Sequence, residues 1–453
     1  MNERINKEKI KFKLMPVQII LIGFFVLVLL GTLLLMLPVS SAEGKWTDPL
    51  TASFTAVSAS CVTGLVAVDT GTYWSLFGQI IILIMIQIGG LGFMSFGLVL
   101  SMLIKGRITP RESTIMAQSL GFASYGGFGG IAKRIVLGTL IFEGVGALIL
   151  SIRFIPLFGI GEGIYKSIFH SVSAFCNAGF DLMGSYSGQF SSFTAFKSDP
   201  IVNITLGMLI IIGGIGFIVW EEIIHYQRAK GLSCYVKTVL WMTGISLFTG
   251  MAFTLFAEWN NPELCTWNDK LLASFFQSVS LRTAGMNTIN LDGLCDATKA
   301  VYSMLMFIGG SAGSTAGGVK TATVALLIIS AVQISGGRRE VVVFKRSIEP
   351  QIILNALCIF IIAIMAVFTS SVVISVSDKV DFLTALFETS SAYNTVGMTL
   401  GITSALNAVS KIILMMMMFC GRVGILTLTY SAHLRRAKKE SAVKYPSGDF
   451  IIG

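Results

Sequence analysis

The sequence predicts an all-α membrane protein with eight transmembrane helices. These form four tandem repeats of span, pore helix, filter loop and span around a pseudo-fourfold pore. The 453 residues are 54% hydrophobic and only 13% charged, whereas soluble domains carry about 25% charged residues. Eight apolar runs reach the length of about 20 residues that crosses a bilayer as a helix. Four polar windows with one shared pattern lie between these runs.

The eight apolar runs set the order of the elements. They are 17–37, 75–104, 131–154, 201–224, 236–257, 302–330, 352–375 and 408–432. Each window follows an odd-numbered run and precedes an even-numbered one, so two runs and one window make a repeat. The predicted segments are a basic N-terminal segment 1–13, repeats 14–115, 128–230, 232–345 and 346–434, and a C-terminal tail 435–453.

Each polar window begins with a phenylalanine and ends with a glycine ten residues later. The windows are 54–64, 169–179, 275–285 and 387–397, and successive glycines are 115, 106 and 112 residues apart. A window of this length is too short to cross a bilayer, so it must return to the face from which it came. Non-helical backbone at membrane depth needs cover from protein or water. We therefore expect four loops that meet at one axis, where such a ring would coordinate an ion.

The three residues that end each window are the predicted ion-binding residues. Their side chains are small or uncharged, and glycine permits backbone angles that other residues avoid. Rings of backbone carbonyls replace the hydration shell of potassium, and a helix C terminus adds about half a negative charge. The predicted filter residues are Val62, Thr63, Gly64, Asn177, Ala178, Gly179, Thr283, Ala284, Gly285, Thr395, Val396 and Gly397.

A glycine-rich pattern also recurs in the second span of each repeat, around Gly90, Gly214, Gly310 and Arg422. In the first two copies we interpret the glycines as helix contacts, because small residues let helices approach closely in lipid. The third copy contains a glycine run, 309–318, that should break the helix. In the fourth copy an arginine replaces glycine in mid-span. An intramembrane charge marks an ion pathway or its gate, although an arginine paired for structure alone is the alternative. The predicted gate residues are Gly309, Gly310, Gly313, Ser314, Thr315, Gly317, Gly318, Lys320 and Arg422.

Other residues carry weaker signals. The segment 313–321 resembles a phosphate-binding loop, but Val319 stands where that motif needs its lysine, so nucleotide binding is not expected. We expect His170 to hydrogen-bond within the protein. Glu143 and Glu388 could be ion or proton sites or could have internal partners. The outer cysteines Cys265 and Cys295 could pair or remain free thiols.

Lysine and arginine predict the orientation, because cytoplasmic loops carry an excess of both. Of the 33, 22 lie within 4–13, 105–134, 228–237, 338–346 and 435–444, at the termini or between repeats. The sequence thus predicts a multi-pass protein of the cell membrane with cytoplasmic N and C termini. These charges lie in separate loops rather than in one groove with aromatic residues, so nucleic-acid binding is not predicted.

Taken together, the four glycine loops, the glycine run and the motif 421–424 resemble the Trk/Ktr/HKT superfamily of potassium transporters. The likeness is greatest to the bacterial KtrB-type membrane subunits, and it covers essentially the whole chain. The resemblance implies one filter glycine per repeat, at Gly64, Gly179, Gly285 and Gly397. It also implies an intramembrane gating loop at 309–318 and a pore arginine at Arg422.

The resemblance further implies potassium as the substrate, because Gly64 is glycine where sodium-favouring members carry serine. It implies a membrane homodimer and a separate cytoplasmic ring of nucleotide-binding, KtrA-type regulatory subunits, with no cofactor on this chain. No residue decides whether sodium is an activator. The alternatives are a sodium or unselective cation transporter on the same scaffold, a scaffold with vestigial pores, and a membrane-embedded enzyme. The enzyme is disfavoured because the spans contain no aspartate pair.

Overall fold

The computed structural model describes residues 16–92, 128–226 and 231–424. The predicted N-terminal segment 1–13 and the tail 435–453 lie outside these ranges, as do residues 14–15, 93–127, 227–230 and 425–434. Almost all regular structure within the described ranges is helical, and the helices are given below under the four predicted repeats.

The helices of the first two repeats are bounded as follows. The first repeat contains α1 (Pro16–Met36), α2 (Pro49–Cys61), α3 (Thr70–Tyr73) and α4 (Leu76–Leu91). The second contains α5 (Phe128–Phe158), α6 (Ile160–Phe175), α7 (Gly184–Ser187), α8 (Pro200–Ile215) and α9 (Phe217–Ile224). Two 3₁₀ turns, Pro38–Ser40 and Thr194–Phe196, lie in the connections.

The third repeat contains α10 (Cys234–Ala257), α11 (Trp267–Ser280), α12 (Asp296–Met306) and α13 (Thr321–Ser335). A hairpin of two strands, β1 (Val342–Val343) and β2 (Arg346–Ser347), leads to the fourth repeat. That repeat contains α14 (Pro350–Asp378), α15 (Phe382–Tyr393) and α16 (Ala408–Val423).

The pore helices predicted before the glycine loops are α2, α6, α11 and α15. Side-chain caps define three of their starts. Asp48 accepts from the amides of Leu50 and Thr51 at α2, and Asp381 accepts from an amide at α15. At α11, Thr266 and Asp269 form a capping box. Such caps satisfy amides that a helix leaves unpaired in its first turn, so the chain turns into each short helix at a fixed residue.

The second spans are not continuous helices, and this corrects part of the sequence prediction. The break predicted in the third repeat is present, since residues 307–320, the intramembrane loop, separate α12 from α13. The second repeat breaks as well, because α8 and α9 meet at 92° across Gly216. Gly92 and Gly424 end α4 and α16 with the same left-handed backbone as Gly216. Glycine is the residue that adopts such angles without strain.

The number of membrane crossings is not confirmed as eight. Within the described ranges, three helices are long and apolar enough to span a bilayer: Lys133–Phe158, Cys234–Ala257 and Pro350–Asp378. The bent pair α8–α9 makes a fourth if it counts as one span. Three further apolar helices are too short to be counted as spans: Leu21–Met36, Leu76–Leu91 and Thr321–Ser335. An integral membrane protein is consistent with the many large apolar side chains exposed on α1, α5, α10 and α14.

Candidate ion pathway

The four predicted glycine loops meet in one closed cycle, which we call the glycine ring (62–64, 177–179, 283–285 and 395–397). Each glycine faces the backbone of the next repeat, so closely that a Cβ atom would overlap a carbonyl oxygen. A Cβ on Gly64 would lie 2.6 Å from the oxygen of Ala178, and a Cβ on Gly179 would lie 2.7 Å from that of Ala284. A Cβ on Gly285 would overlap the oxygen of Val396, and a Cβ on Gly397 would overlap that of Thr63. The fourth contact returns to the first repeat, so the cycle is complete.

All four turns share one backbone conformation. The glycine has a positive φ, between 72° and 95°, and so does the residue two positions earlier. These earlier residues are Val62, Asn177, Thr283 and Thr395, with φ of 57°, 57°, 75° and 51°. The left-handed conformation costs a residue with a side chain about 1–2 kcal/mol. Its recurrence at four equivalent sites indicates that the ring packing, rather than local preference, sets the turn.

Hydrogen bonds from the pore helices hold the turns. In three repeats the amide before the glycine donates to a serine carbonyl five residues back at 2.8 Å: Thr63 to Ser58, Ala178 to Ser173 and Val396 to Ser391. The hydroxyls of Ser58 and Ser391 also accept from the amides of Gly64 and Gly397. In the third repeat the equivalent bond, from Ala284 to Ser280, spans four residues at 2.9 Å. The third turn is therefore one residue tighter than the other three.

Glycines of three second spans pack under the pore helices, as the sequence predicted for the first two repeats but not for the fourth. A Cβ on Gly89, Gly213 or Gly421 would overlap the carbonyl oxygen of Ser60, Phe175 or Tyr393. Each of these carbonyls lies four residues before the ring glycine of its own repeat. Close packing thus fixes the height of three second-span helices against the ring.

The intramembrane loop lies between the second and fourth repeats. On one side it bonds to the break between α8 and α9: Ser311 donates to Gly214, Thr315 donates through its amide to Gly213 at 3.3 Å, and Phe217 donates to Gly313 at 2.7 Å. The Thr315 hydroxyl also donates to the carbonyl of Phe175, at the end of pore helix α6, at 3.2 Å.

On the other side the loop bonds to the fourth turn of the glycine ring. The Gly317 amide donates to the Thr395 hydroxyl at 3.1 Å, and the Val319 amide donates to the Asn394 side chain at 3.2 Å. The Gly318 amide donates to the carbonyl of Gly421 at 3.1 Å. A Cβ on Gly317 or Gly318 would overlap the Thr395 or Asn394 side chain. The loop and the ring are therefore in direct contact.

The remaining predicted gate residues close the loop on itself. Lys320 donates through Nζ to the Ala316 carbonyl at 2.8 Å, and Ser314 donates to Ser311 at 2.7 Å. Gly309 donates to Val319, and Gly310 accepts from Thr321 at 3.0 Å. Gly313 has a left-handed φ of 66°, which allows the reversal at the loop tip.

Arg422 joins three repeats. One guanidinium nitrogen donates to the carbonyl of Thr315 in the loop. The other donates to the carbonyls of Gly89 and Gly90 at the end of α4, the latter at 3.1 Å. Among the residues that the structure describes, the hydrogen-bond partners of Arg422 are carbonyl oxygens, and none of them is a carboxylate.

His170 and Glu388 have internal partners, as the sequence predicted for His170 and allowed for Glu388. His170 accepts from the Leu182 amide at 3.0 Å, and Glu388 accepts from the Leu400 amide at 3.1 Å. Both residues lie nine positions before a ring glycine and both amides lie three after it. In the second and fourth repeats, the pore-helix residue at this position therefore hydrogen-bonds to the segment that follows the ring glycine. Glu143 accepts from Gln87 at 3.2 Å and contacts Cys176.

The cysteine pair allowed by the sequence does not form. Cys265 and Cys295 are both free thiols. The Cys265 thiol donates to the Pro262 carbonyl, and the Cys295 thiol lies 3.0 Å from the Thr298 hydroxyl.

Two residues at the ring were missed by the sequence analysis. Asn394, three before its ring glycine, accepts from the loop. Arg282, in the same position of the third repeat, is buried and donates to Thr321, the first residue of α13, at 3.5 Å. Arg282 is the one lysine or arginine in the four windows, and this was the signal available. Nothing in the sequence distinguished Asn394 from the other polar residues of its window.

Four short helices around a closed ring, among helices long and apolar enough to cross a bilayer, indicate an integral membrane protein with a candidate pathway on the axis of the ring. A family model described as TrkH, a cation transport protein, matches residues 4–442. The chain therefore belongs to the TrkH/Ktr family of cation transport proteins.

Whole-length relatives agree with this assignment. Ktr system potassium uptake protein B of Bacillus subtilis (strain 168) is 38% identical over 445 residues, covering 97% of each chain. Potassium/sodium uptake protein NtpJ of Enterococcus hirae is 36% identical over 455 residues, covering 99% of this chain and 100% of the relative. The crystal structure of the potassium transporter TrkH from Vibrio parahaemolyticus matches with a TM-score of 0.72 at 18% identity. It covers 94% of this chain and 86% of that one, and at this identity it shows the fold alone.

Proposed function

We propose that this chain takes up potassium across the cell membrane through the glycine ring. The supporting observation is the closure of the ring, in which each glycine packs on the carbonyl-bearing backbone of the next repeat. Four equivalent turns can offer a dehydrated cation equivalent sets of oxygens, and backbone carbonyls suit potassium. The family and the names of its relatives support a monovalent cation as substrate.

The shared left-handed turns support a carbonyl filter. Positive φ at the glycine and two residues earlier alternates with ordinary backbone between them. Such alternation turns successive carbonyls toward the same side, which in a ring is the axis. The side chains have other contacts: Asn177 lies 3.1 Å from the Thr283 hydroxyl, and Thr395 accepts from the loop. In this proposal the twelve residues of the ring line the ion site.

The intramembrane loop and Arg422 are the proposed gate. The loop lies against the ring, and the Arg422 guanidinium, whose partners among the described residues are carbonyl oxygens, joins it to the end of α4. A positive charge beside the pathway raises the energy of a cation there, because the repulsion between the two charges is shielded far less inside the protein than in water. Opening would require the loop to give up its hydrogen bonds to Asn394, Thr395 and Arg422, and residues 309–318 with Lys320 would move with it.

The remaining parts of the proposal concern assembly. We propose a homodimer with cytoplasmic termini, regulated by a cytoplasmic ring of nucleotide-binding, KtrA-type subunits, with sodium left open as an activator. The word "system" in the name of the Bacillus subtilis relative supports a further subunit. Copurification with such a subunit, and potassium uptake with and without sodium, test these parts separately.

The filter proposal predicts that Gly285→Ser reduces potassium uptake and discrimination against sodium. A Cβ here would overlap the Val396 carbonyl, and the backbone is left-handed with φ of 77°. The matched control is Gly401→Ser, where φ is 89° and nothing lies within 4 Å of a Cβ. Flux into liposomes containing the purified protein, with potassium, rubidium and sodium in competition, measures both variants. Unchanged selectivity in Gly285→Ser would contradict the carbonyl filter.

The second candidate is a transporter of both potassium and sodium on the same scaffold. The observation that favours it is the similarity to a relative named as a potassium/sodium uptake protein. The same competition assay decides between the two. Equal uptake of sodium and potassium by the wild-type protein would establish the second candidate.

A further inference from the structure

An apolar cavity of about 490 Å³ lies beside the intramembrane loop and is separate from the glycine ring. It is open on one side and is lined by the first turns of α10, by α13, by the hairpin β1–β2 with the residue after it, and by the first turns of α14. Its lining includes Tyr235, Thr238, Leu326, Val343, Ile352 and Ala356. Nearly all of this lining is hydrocarbon, so the cavity favours an apolar occupant.

The cavity is connected to the loop through its own lining. The Tyr235 hydroxyl donates to the Ala312 carbonyl of the loop at 3.3 Å. Ala322 and Thr323, also in the lining, belong to the first turn of α13, directly after the loop ends. Whatever fills the cavity therefore touches both a hydrogen-bond partner of the loop and the helix that continues from it.

Basic side chains surround the same end of the helices. Lys345 and Arg346 are exposed in the hairpin, where Arg346 pairs with the cavity residue Val343. The ammonium group of Lys237 lies 5.9 Å from the centre of the Phe344 ring. Residues 337–349 contain two further arginines, Arg338 and Arg339, against two acidic residues, Glu340 and Glu349. Across the part of the chain that the structure describes, no carboxylate pairs with Lys237, Lys345 or Arg346.

We propose that this cavity binds an anionic phospholipid, with an acyl chain in the cavity and the phosphate among Lys237, Lys345 and Arg346. Basic pockets between membrane helices on the cytoplasmic side suit anionic headgroups, and the positive-inside pattern predicts that side for this end of the helices. Charge decides the class of lipid, because the acyl chain alone would fit a neutral lipid equally well. A bound lipid restrains Tyr235 and so supports the loop conformation described above.

Native mass spectrometry of the full-length protein in detergent, with added phosphatidylglycerol or phosphatidylcholine, tests the proposal without depending on transport. We expect phosphatidylglycerol to be retained at least tenfold better. In the double variant Lys345→Gln, Arg346→Gln this preference should fall by about tenfold or more, since a basic residue near an anionic headgroup contributes about fivefold. Arg134→Gln is the control, because Arg134 is a basic residue of the second repeat already paired with Glu221.

Two further variants separate the cavity from the headgroup site and from the loop. Thr238→Trp, which fills the cavity, should remove the retained lipid. Tyr235→Phe should raise flux in phosphatidylglycerol vesicles, because it deletes the hydrogen bond to the Ala312 carbonyl of the loop while keeping the aromatic ring in the lining. Three results would each overturn the proposal. They are equal retention of the two lipids, an equal loss of the preference for phosphatidylglycerol in Arg134→Gln, and a density map with a second copy of the chain in the cavity.

Discussion

Four residues other than glycine hold left-handed backbone angles in the glycine ring: Val62, Asn177, Thr283 and Thr395. Three of them are β-branched, the type that adopts these angles least readily. Strain of this kind persists only where the surrounding structure enforces it, and it is typical of functional sites. The enforcing contacts are the serine carbonyls of the pore helices and the packing of each glycine on the next repeat.

The contact between ring and loop gives a prediction for Thr395. Thr395→Val keeps the shape of the side chain but removes the oxygen that accepts from the Gly317 amide. A hydrogen bond is worth about 1 kcal/mol net, so potassium flux without the regulatory subunit should rise about fivefold. Thr63→Val is the matched control, because the buried Thr63 hydroxyl has no hydrogen-bond partner among the described residues. If both variants behave alike in liposome flux, the Thr395 bond does not hold the gate.

Arg422 gives a second prediction at this scale. Arg422→Ala removes the donors that join the loop to α4, and a hydrogen bond to a charged group contributes about 1.5–3 kcal/mol. Flux without the regulatory subunit should therefore rise roughly tenfold or more. Arg422→Lys keeps the charge but loses the planar fork that reaches both sides, so it should lie between the wild type and the alanine variant. A lysine variant as leaky as alanine would show that geometry, and not charge, closes the pathway.

At the scale of elements, aspartate carboxylates cap the starts of three of the four pore helices, α2, α11 and α15. Asp269 in α11 accepts from its own cap residue Thr266 and from the Ser198 hydroxyl of the second repeat at 2.5 Å. The hydrogen bond from Ser198 is the main reason that the pKa of Asp269 lies below its ordinary value of 3.8. This carboxylate therefore joins the outer ends of two repeats and also begins a pore helix.

The lowered pKa of Asp269 predicts a pH dependence of stability. Because the folded state favours the ionised form, the stabilisation is present above about pH 4 and is lost as pH falls through the folded-state pKa. Asp269→Asn should lower the melting temperature in detergent by about 2 °C at pH 7, and the difference should shrink as pH falls below about 4 and vanish below the folded-state pKa. Asp381→Asn is the control, since asparagine caps a helix as well as aspartate does. A pH-independent difference for Asp269→Asn would contradict this assignment.

The bend at Gly216 shows what an element-scale prediction lacks. The sequence around Gly216, which includes Gly213, resembles that around Gly89, and in both places the glycines indicate close helix packing. That packing is present at Gly89 and at Gly213. The bend depends in addition on the loop, since the Phe217 amide donates to Gly313 and a Cβ on Gly216 would lie 2.9 Å from the Ala312 carbonyl. These partners are almost one repeat away in sequence, so one apolar run could not reveal the break.

On the scale of the whole molecule, the ring was predictable because the same window of phenylalanine and glycine occurs four times in the sequence. One glycine window alone is a weak signal, but four at similar spacing indicated that the loops share an axis. The glycine run in the third repeat was dense enough to indicate a helix break by composition alone. The partners of Arg422 were not predictable, because the carbonyls of Gly89 and Gly90 are more than 300 residues away and carry no side chain that could mark them.

Closure of the ring predicts that its four glycines act as one unit. Alanine at Gly64, Gly179 or Gly397 places a Cβ against the backbone of the next repeat, so each variant should lose potassium selectivity to a similar degree. Gly188→Ala is the control, with a left-handed φ of 105° and open space around it. Competition between potassium and sodium in liposomes measures all four variants. A single glycine that tolerates alanine would show that the repeats contribute unequally.

The contact of Gly397 with Thr63 also has a consequence for biogenesis. The first turn is made early in synthesis, and its last neighbour leaves the ribosome more than 330 residues later. Until the final repeat has inserted into the bilayer, the first three turns have one open side where polar backbone lacks its cover. Chains truncated before residue 397 should therefore be recognised by membrane quality control, whereas loss of the extreme C terminus should not leave this side open.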